Sequence, residues 1–156
     1  MTKNIQQMIA DAQSAYIRCI DEDRLEEWPS HFHGSCFYKI TTAANERDGL
    51  EAGIIFANSR GMLTDRISAL RKANVYERQS YRHILGQPLI VSEEGAEIRV
   101  ETPFIVARIL LDGETSIFAT GVYRDLFRLD AGVPKLNERV VVCDSSRIDT
   151  LLALPL

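Results

Sequence analysis

Apolar residues recur with helical spacing in the opening stretch of the chain. Ile5, Met8, Ile9, Ala12, Tyr16, Cys19 and Ile20 fall on one stripe of a helix running from about Asn4 to Asp21. So regular a stripe predicts that one helix face is pressed against something large, in the first instance a sheet. Asp23 is placed to cap a second short helix through Trp28, which Pro29 then ends. Cys36 to Thr41 reads as a strand, Thr42 to Gly49 as a polar loop and Ile54 to Ala57 as a short strand. A further helix is predicted from about Ser59 to Ala73, with Asn58 or Ser59 at its cap and Leu63, Ile67 and Leu70 as its core stripe.

Beyond that helix the pattern changes to strands, at roughly 80–92, 96–111, 115–129 and 135–144. Their connections have turn chemistry: Glu93-Glu94-Gly95, Asp112-Gly113-Glu114 and Asp130-Ala131-Gly132. Helices first and a β-meander afterwards predict an α+β fold with an antiparallel sheet, its long strands wrapped on the N-terminal helix. The apolar ending LLALPL is expected to dock rather than hang free. With no repeat, low-complexity tract or linker, the 156 residues read as a single domain.

Composition narrows the function classes. A net charge of −4 argues against non-specific nucleic-acid binding. Fourteen Arg against four Lys suits forked carboxylate pairs and protein interfaces. Cys19, Cys36 and Cys143 are odd in number and widely spaced, which predicts buried free thiols rather than disulfides or a zinc site. The start MTKNIQQMIADAQ lacks a signal pattern, and no apolar run approaches the ~20 residues of a membrane span. The chain reads as cytoplasmic.

Candidate chemistry is sparse. His31 and His33 would share one side of a strand and offer two metal ligands there. Pro29 before them and Gly34 after them predict a loop instead, and no CxxC or HExxH supplies further ligands. His83 lies in a predicted strand beside Arg82, where a hydrogen-bonded structural role is the commoner one. Asp125 is the odd position: it falls on the same strand face as Ile117, Ala119, Gly121, Tyr123, Phe127 and Leu129. A carboxylate among apolar residues must be paired or perturbed. The bland reading is an ion pair with Arg108 or Arg139; the functional one is a general base in a pocket. Asp144 ends the last strand, where it can cap or pair, and Arg66 lies beside the stripe of its helix, where its stem covers core and its head meets acid. Nucleotide, nucleophile-elbow, Rieske-cluster and two-His-one-carboxylate patterns are all missing.

The segments RQSYRHILG (78–86), FIVAR (104–108), FATGVYRDLFR (118–128) and LNERVVVCD (136–144) follow LEEWPSHF, CFYKI and DRISALR. In order and spacing they resemble the small (beta) subunit of aromatic-ring-hydroxylating dioxygenases. MLTDRISALRKANVYERQSYRHILG and DTLLALPL carry a closer likeness to small subunits of the terephthalate 1,2-dioxygenase type, with benzoate-type oxygenases also fitting. The stretch NVYERQS replaces a Pro-rich one found in many members, which leaves the substrate subgroup open.

The resemblance implies a ketosteroid-isomerase-like cone, the nuclear transport factor 2 superfold. It implies an alpha subunit that holds a Rieske 2Fe–2S cluster and a mononuclear Fe(II), and a beta trimer within an α3β3 hexamer. Electrons would come from NAD(P)H through a reductase, and both atoms of O2 would enter an aromatic ring. This chain would then carry no cofactor and no metal. Arg66, Arg82, His83, Arg108, Arg124, Asp125, Arg128, Arg139 and Asp144 would be structural or interface residues. The rival from another class is a stand-alone isomerase or dehydratase, in which His83 and Asp125 converge on an open pocket.

Overall fold

The computed structural model describes residues 4–51, 53–73, 78–148 and 154–156. Helix α1 spans Ile5–Asp21, and the side chain of Asn4 caps it by accepting from the Gln7 N–H at 2.8 Å. Ile9, Tyr16, Cys19 and Ile20 are buried, as the stripe requires, and so is the polar Gln13 between them. A 3-10 helix follows over Leu25–His31. Asp23 does not cap it. That residue takes a positive φ of 59°, Arg24 holds the cap position without a capping bond from its side chain, and Pro29 lies inside the helix rather than ending it.

Strand β1, Phe32–Thr42, starts four residues earlier than its apolar run suggests, so His33 is on a strand and not in a loop. The segment after it is a short helix rather than a loop: α2 spans Ala43–Arg47, and the Thr42 hydroxyl caps it by accepting from the Asn45 N–H. Next come β2 (Ile55–Ala57) and α3 (Arg60–Ala73), whose first turn is held by Ser59 Oγ accepting from the Met62 N–H. The predicted strand 80–92 is two strands, β3 (Gln79–Leu85) and β4 (Leu89–Glu94). Gly86 marks the break: it packs so closely on Pro103 that an added Cβ would meet the proline ring at 2.5 Å. The sheet is completed by β5 (Glu97–Leu110), β6 (Thr115–Asp130) and β7 (Val133–Cys143), joined by turns with Gly95, Gly113, Ala131 and Gly132 at positive φ.

The strand order is β2-β1-β7-β6-β5-β3, and β4 pairs with β5 in line with β3, along the earlier part of β5. All pairings are antiparallel except β1 with β7. The open, curved sheet wraps α1. Ile98, Val100, Thr102, Phe104 and Val106 of β5 face inward with Tyr81 and His83 of β3, Tyr123 and Phe127 of β6, and Val141 of β7. One inward assignment fails. The register between β5 and β6 shifts at Val106/Ala107, leaving Phe118 as the extra residue of a bulge. Phe118 therefore turns in and stacks on Tyr81 with centroids 5.1 Å apart, while Ile117 is exposed. At the other end of the chain Leu154, Pro155 and Leu156 are buried, and the Leu156 carbonyl accepts from the hydroxyls of Tyr16 and Tyr38 at 2.9 Å each. The rest of that expected docking segment lies outside the described residues.

Candidate functional site

The interior of the cone holds two polar groupings. The first is built on Asp125 of β6 and Arg139 of β7, which face each other in register. Arg139 Nε donates to Asp125 Oδ1 at 2.8 Å, and one of its terminal nitrogens donates to Oδ2 at 2.7 Å. Both side chains are fully buried. This parallel fork is the strongest geometry a guanidinium and a carboxylate can adopt. Gln13 of α1 extends it, donating to Thr102 Oγ1 at 2.7 Å and, more weakly, to Asp125 Oδ2 at 3.4 Å. Aromatic rings enclose the cation: the Arg139 guanidinium carbon lies 4.1 Å from the Tyr16 ring centroid and 3.9 Å from that of Tyr123. Burial works against the charged guanidinium, but the Asp125 carboxylate outweighs it and holds the pKa above the usual arginine value. Burial also pushes the Tyr16 phenol up to about 12, against the pull of Arg139. The cavity beside Arg139, lined by Gln13, Tyr16, His31 and Leu136, measures about 10 Å³. That is room for one water and not for a substrate.

The second grouping joins Asp21, the last residue of α1, to His83 of β3. Asp21 Oδ1 lies 2.6 Å from His83 Nδ1, and Oδ2 accepts from the His83 main-chain N–H at 2.8 Å. A carboxylate only accepts, so Nδ1 carries the proton. His83 Nε2 is buried without a protein partner among the described residues. His83 and Asp125 are thus each bonded to other residues and not to one another.

The remaining sequence candidates are dispersed. Arg82 and Arg128 are exposed on the outside of the sheet. Arg124 reaches across to Glu46 of α2 at 2.5 Å. Arg108 is half-buried with its guanidinium over the Phe118 ring at 5.0 Å, and Arg66 is half-buried on α3. The strand arginines therefore do not form one cluster: Arg139 points in and the others lie elsewhere. Asp144 accepts from Thr120 Oγ1 at 2.8 Å. His31 sets its ring edge-on to Tyr16 with centroids 5.7 Å apart. Among the described residues no three His, Cys, Asp or Glu side chains come together as metal ligands, and Cys19, Cys36 and Cys143 are free and buried. The described residues therefore assemble no ligand set for an iron centre. No helix among the described residues is long and apolar enough to cross a membrane.

Two participants were not singled out from sequence. Gln13 follows Ile9 by four residues and precedes Tyr16 by three, so it was legible as a polar residue on an apolar stripe. Asp21 sits at the C-terminal end of α1, where a negative charge opposes the helix dipole and calls for a compensating partner.

Comparison with known proteins places this architecture. The family described as "Ring hydroxylating beta subunit" matches residues 16–150. The chain is 51% identical over 148 residues to the terephthalate 1,2-dioxygenase terminal oxygenase component subunit beta 1 of Comamonas sp., covering 95% of this chain and 96% of that one. It is 38% identical over 145 residues to the anthranilate 1,2-dioxygenase small subunit of Burkholderia cepacia, covering 92% and 89%. Among solved structures it matches the beta subunit of a proposed aromatic-ring-hydroxylating dioxygenase from Novosphingobium aromaticivorans. The TM-score there is 0.90 at 40% identity, with 97% and 96% of the two chains covered. The fold is the nuclear transport factor 2-like cone. The chain belongs to the beta subunits of the aromatic-ring-hydroxylating dioxygenases, oxidoreductases in which it takes part as one subunit of a complex.

Proposed function

We propose that this chain is a non-catalytic beta subunit that braces the large alpha subunits of a dioxygenase acting on an aromatic carboxylate such as terephthalate. Three copies would associate with three alpha subunits in the cytoplasm. The Rieske cluster and the mononuclear iron would belong to the alpha subunit, with electrons arriving from NAD(P)H through a reductase.

One observation carries the reading. The carboxylates and the imidazole that a cone-fold acid–base enzyme would offer to a substrate are engaged with protein partners in a packed interior: Asp125 with Arg139, and His83 with Asp21. The relatives' substrate, terephthalate, supports the choice of ring. A stand-alone isomerase or dehydratase would need His83 and Asp125 on one open cavity, and no observation favours that arrangement.

Co-expression with the large subunit tests the proposal. The two chains should co-purify in equal amounts, light scattering should give the mass of a hexamer, and the complex with its reductase should oxygenate terephthalate. The chain alone should bind no stoichiometric iron and turn over no substrate. One tightly held iron per isolated chain, or an isomerase activity of its own, would overturn it.

A further inference from the structure

Leu156 is held inside the cone in the way a bound ligand is held. Its carbonyl oxygen accepts from the Tyr16 hydroxyl of α1 and from the Tyr38 hydroxyl of β1, each at 2.9 Å. Its N–H donates to the same Tyr38 oxygen at 3.1 Å. Both main-chain polar groups of one residue are thus met by side-chain hydroxyls. Residues 154–156 belong to no helix and no strand. Leu154, Pro155 and Leu156 are nonetheless all buried, Leu156 completely.

Other parts of the fold position the two phenols. Trp28 and Phe32 pack edge-on to the Tyr38 ring with centroids 5.2 and 5.9 Å away. Tyr16 is fixed by the Arg139 guanidinium over its ring, and Arg139 by its fork to Asp125. Burial raises both phenols, Tyr16 to about 12 and Tyr38 well above its ordinary value, so both remain protonated donors at neutral pH. Two fixed donors that converge on one oxygen between apolar walls select an apolar ligand with one strong acceptor. The site has an approach from outside. Leu154 also lines a cleft of about 450 Å³ at the end of α1, with Ile20, Asp21, Gln79 and Leu110.

We propose that the cone keeps a binding site for a small apolar carbonyl compound, and that residues 154–156 are its resident occupant. The tail supplies what such a ligand would: leucine side chains for the apolar walls and a carbonyl for the two phenols. The interior is packed because the chain fills the site itself. A compound from outside must compete with a tethered group at high effective concentration, so the intact chain binds none. Removing residues 154–156 leaves the phenols in place with no acceptor and frees the site. The proposal concerns the interior of one chain and does not depend on how copies or subunits assemble.

The test compares the full chain with one lacking residues 154–156, using the peptide acetyl-Leu-Pro-Leu as probe, by thermal melting and calorimetric titration. The shortened chain is expected to melt at least about 5 °C below the parent, because it carries a cavity and two unmet donors. The peptide at millimolar concentration should bind it saturably and recover most of that loss. It should not bind the full chain. Acetyl-Ser-Pro-Ser, with the same carbonyls but no apolar side chains, should neither bind nor stabilise. Tyr16→Phe/Tyr38→Phe in the shortened chain should weaken peptide binding about tenfold. If the shortened chain is unfolded alone, the peptide should fold it, and a chain that stays unfolded with the peptide overturns the proposal. So does a shortened chain that melts like the parent or binds no peptide, or a full chain that binds the peptide as tightly. Equal binding of the serine peptide, or phenylalanine changes without effect, would overturn it as well. None of these failures touches the subunit reading, which stands or falls on co-purification with the large subunit.

Discussion

Asp21 holds His83 at two points, through the imidazole Nδ1 and through the main-chain N–H. One carboxylate thereby orients a buried ring and satisfies a donor on the rim of β3 that the sheet leaves unpaired. It also ties the end of α1 to a strand 62 residues away in sequence. Removing it strands a main-chain donor and a ring N–H in a buried setting. Asp21→Ala is expected to cost about 2–3 kcal/mol, measured by urea unfolding, and to speed hydrogen exchange at the His83 amide. Asp21→Asn keeps an acceptor and should cost less. An Ala variant with parental stability and unchanged exchange would show the contact to be idle.

The Asp125–Arg139 pair is expected to matter for stability and assembly rather than for turnover. Asp125→Ala leaves a guanidinium buried between two tyrosine rings without its counter-charge, at a cost of roughly 3–5 kcal/mol. Asp125→Asn retains shape and some hydrogen bonding and should cost less. Replacing both partners with apolar residues of similar volume, Asp125→Leu with Arg139→Met, leaves no orphan charge and should recover much of the loss. Thermal melting of the three variants checks the order, beside the activity of the reconstituted complex. An Asp125→Asn chain that melts and assembles like the parent yet abolishes turnover would make the structural role untenable.

How far the sequence could be read depended on how local each signal was. The α1 stripe is local, and it lies where periodicity puts it. Asp125 was legible as a carboxylate that needed an arginine, because alternation alone put it on a buried face. Which arginine it meets is set by the β6–β7 register, which puts Arg139 directly opposite, and Arg108 is instead engaged beside Phe118. Ile117 was misplaced because one extra residue at the Phe118 bulge reverses every side chain beyond it, and a bulge depends on the partner strand. The parallel β1–β7 pairing and the Asp21–His83 contact join distant segments and have no sequence-local signature.

Gly121 tests the closeness of β6 and β7. It pairs with Cys143, and a Cβ added there would lie 2.0 Å from the Val142 carbonyl oxygen. That atom is main chain in the adjacent strand, so the strands themselves would have to part. Gly121→Ala is expected to lose at least about 3 kcal/mol. Gly34→Ala, where a Cβ meets nothing within 4 Å, should stay within about 0.5 kcal/mol of the parent. Equal denaturation midpoints for the two variants would contradict the packing.

His31 is expected to give the chain a pH dependence of definite sign. Burial foremost, then the cations Lys135 and Arg139, bring its pKa down to about 4, with Arg24 adding to the effect and Glu27 opposing it. In the unfolded chain the imidazole returns to about 6.5. Between those values the unfolded chain binds a proton that the folded chain refuses, so this residue makes stability rise with pH. Its contribution is whole above about pH 6.5, declines as the pH falls toward 4, and changes no further below that. Carboxylates titrate in the same range, so the parent must be compared with a variant that lacks only this group. His31→Phe keeps a ring edge against Tyr16 and removes the proton site. Urea midpoints at pH 7 and pH 4.5 should move apart, with the variant gaining on the parent at the lower pH. A gap of the same size at both pH values would mean that the folded and unfolded imidazoles titrate alike, and that the cations around His31 do not bear on it.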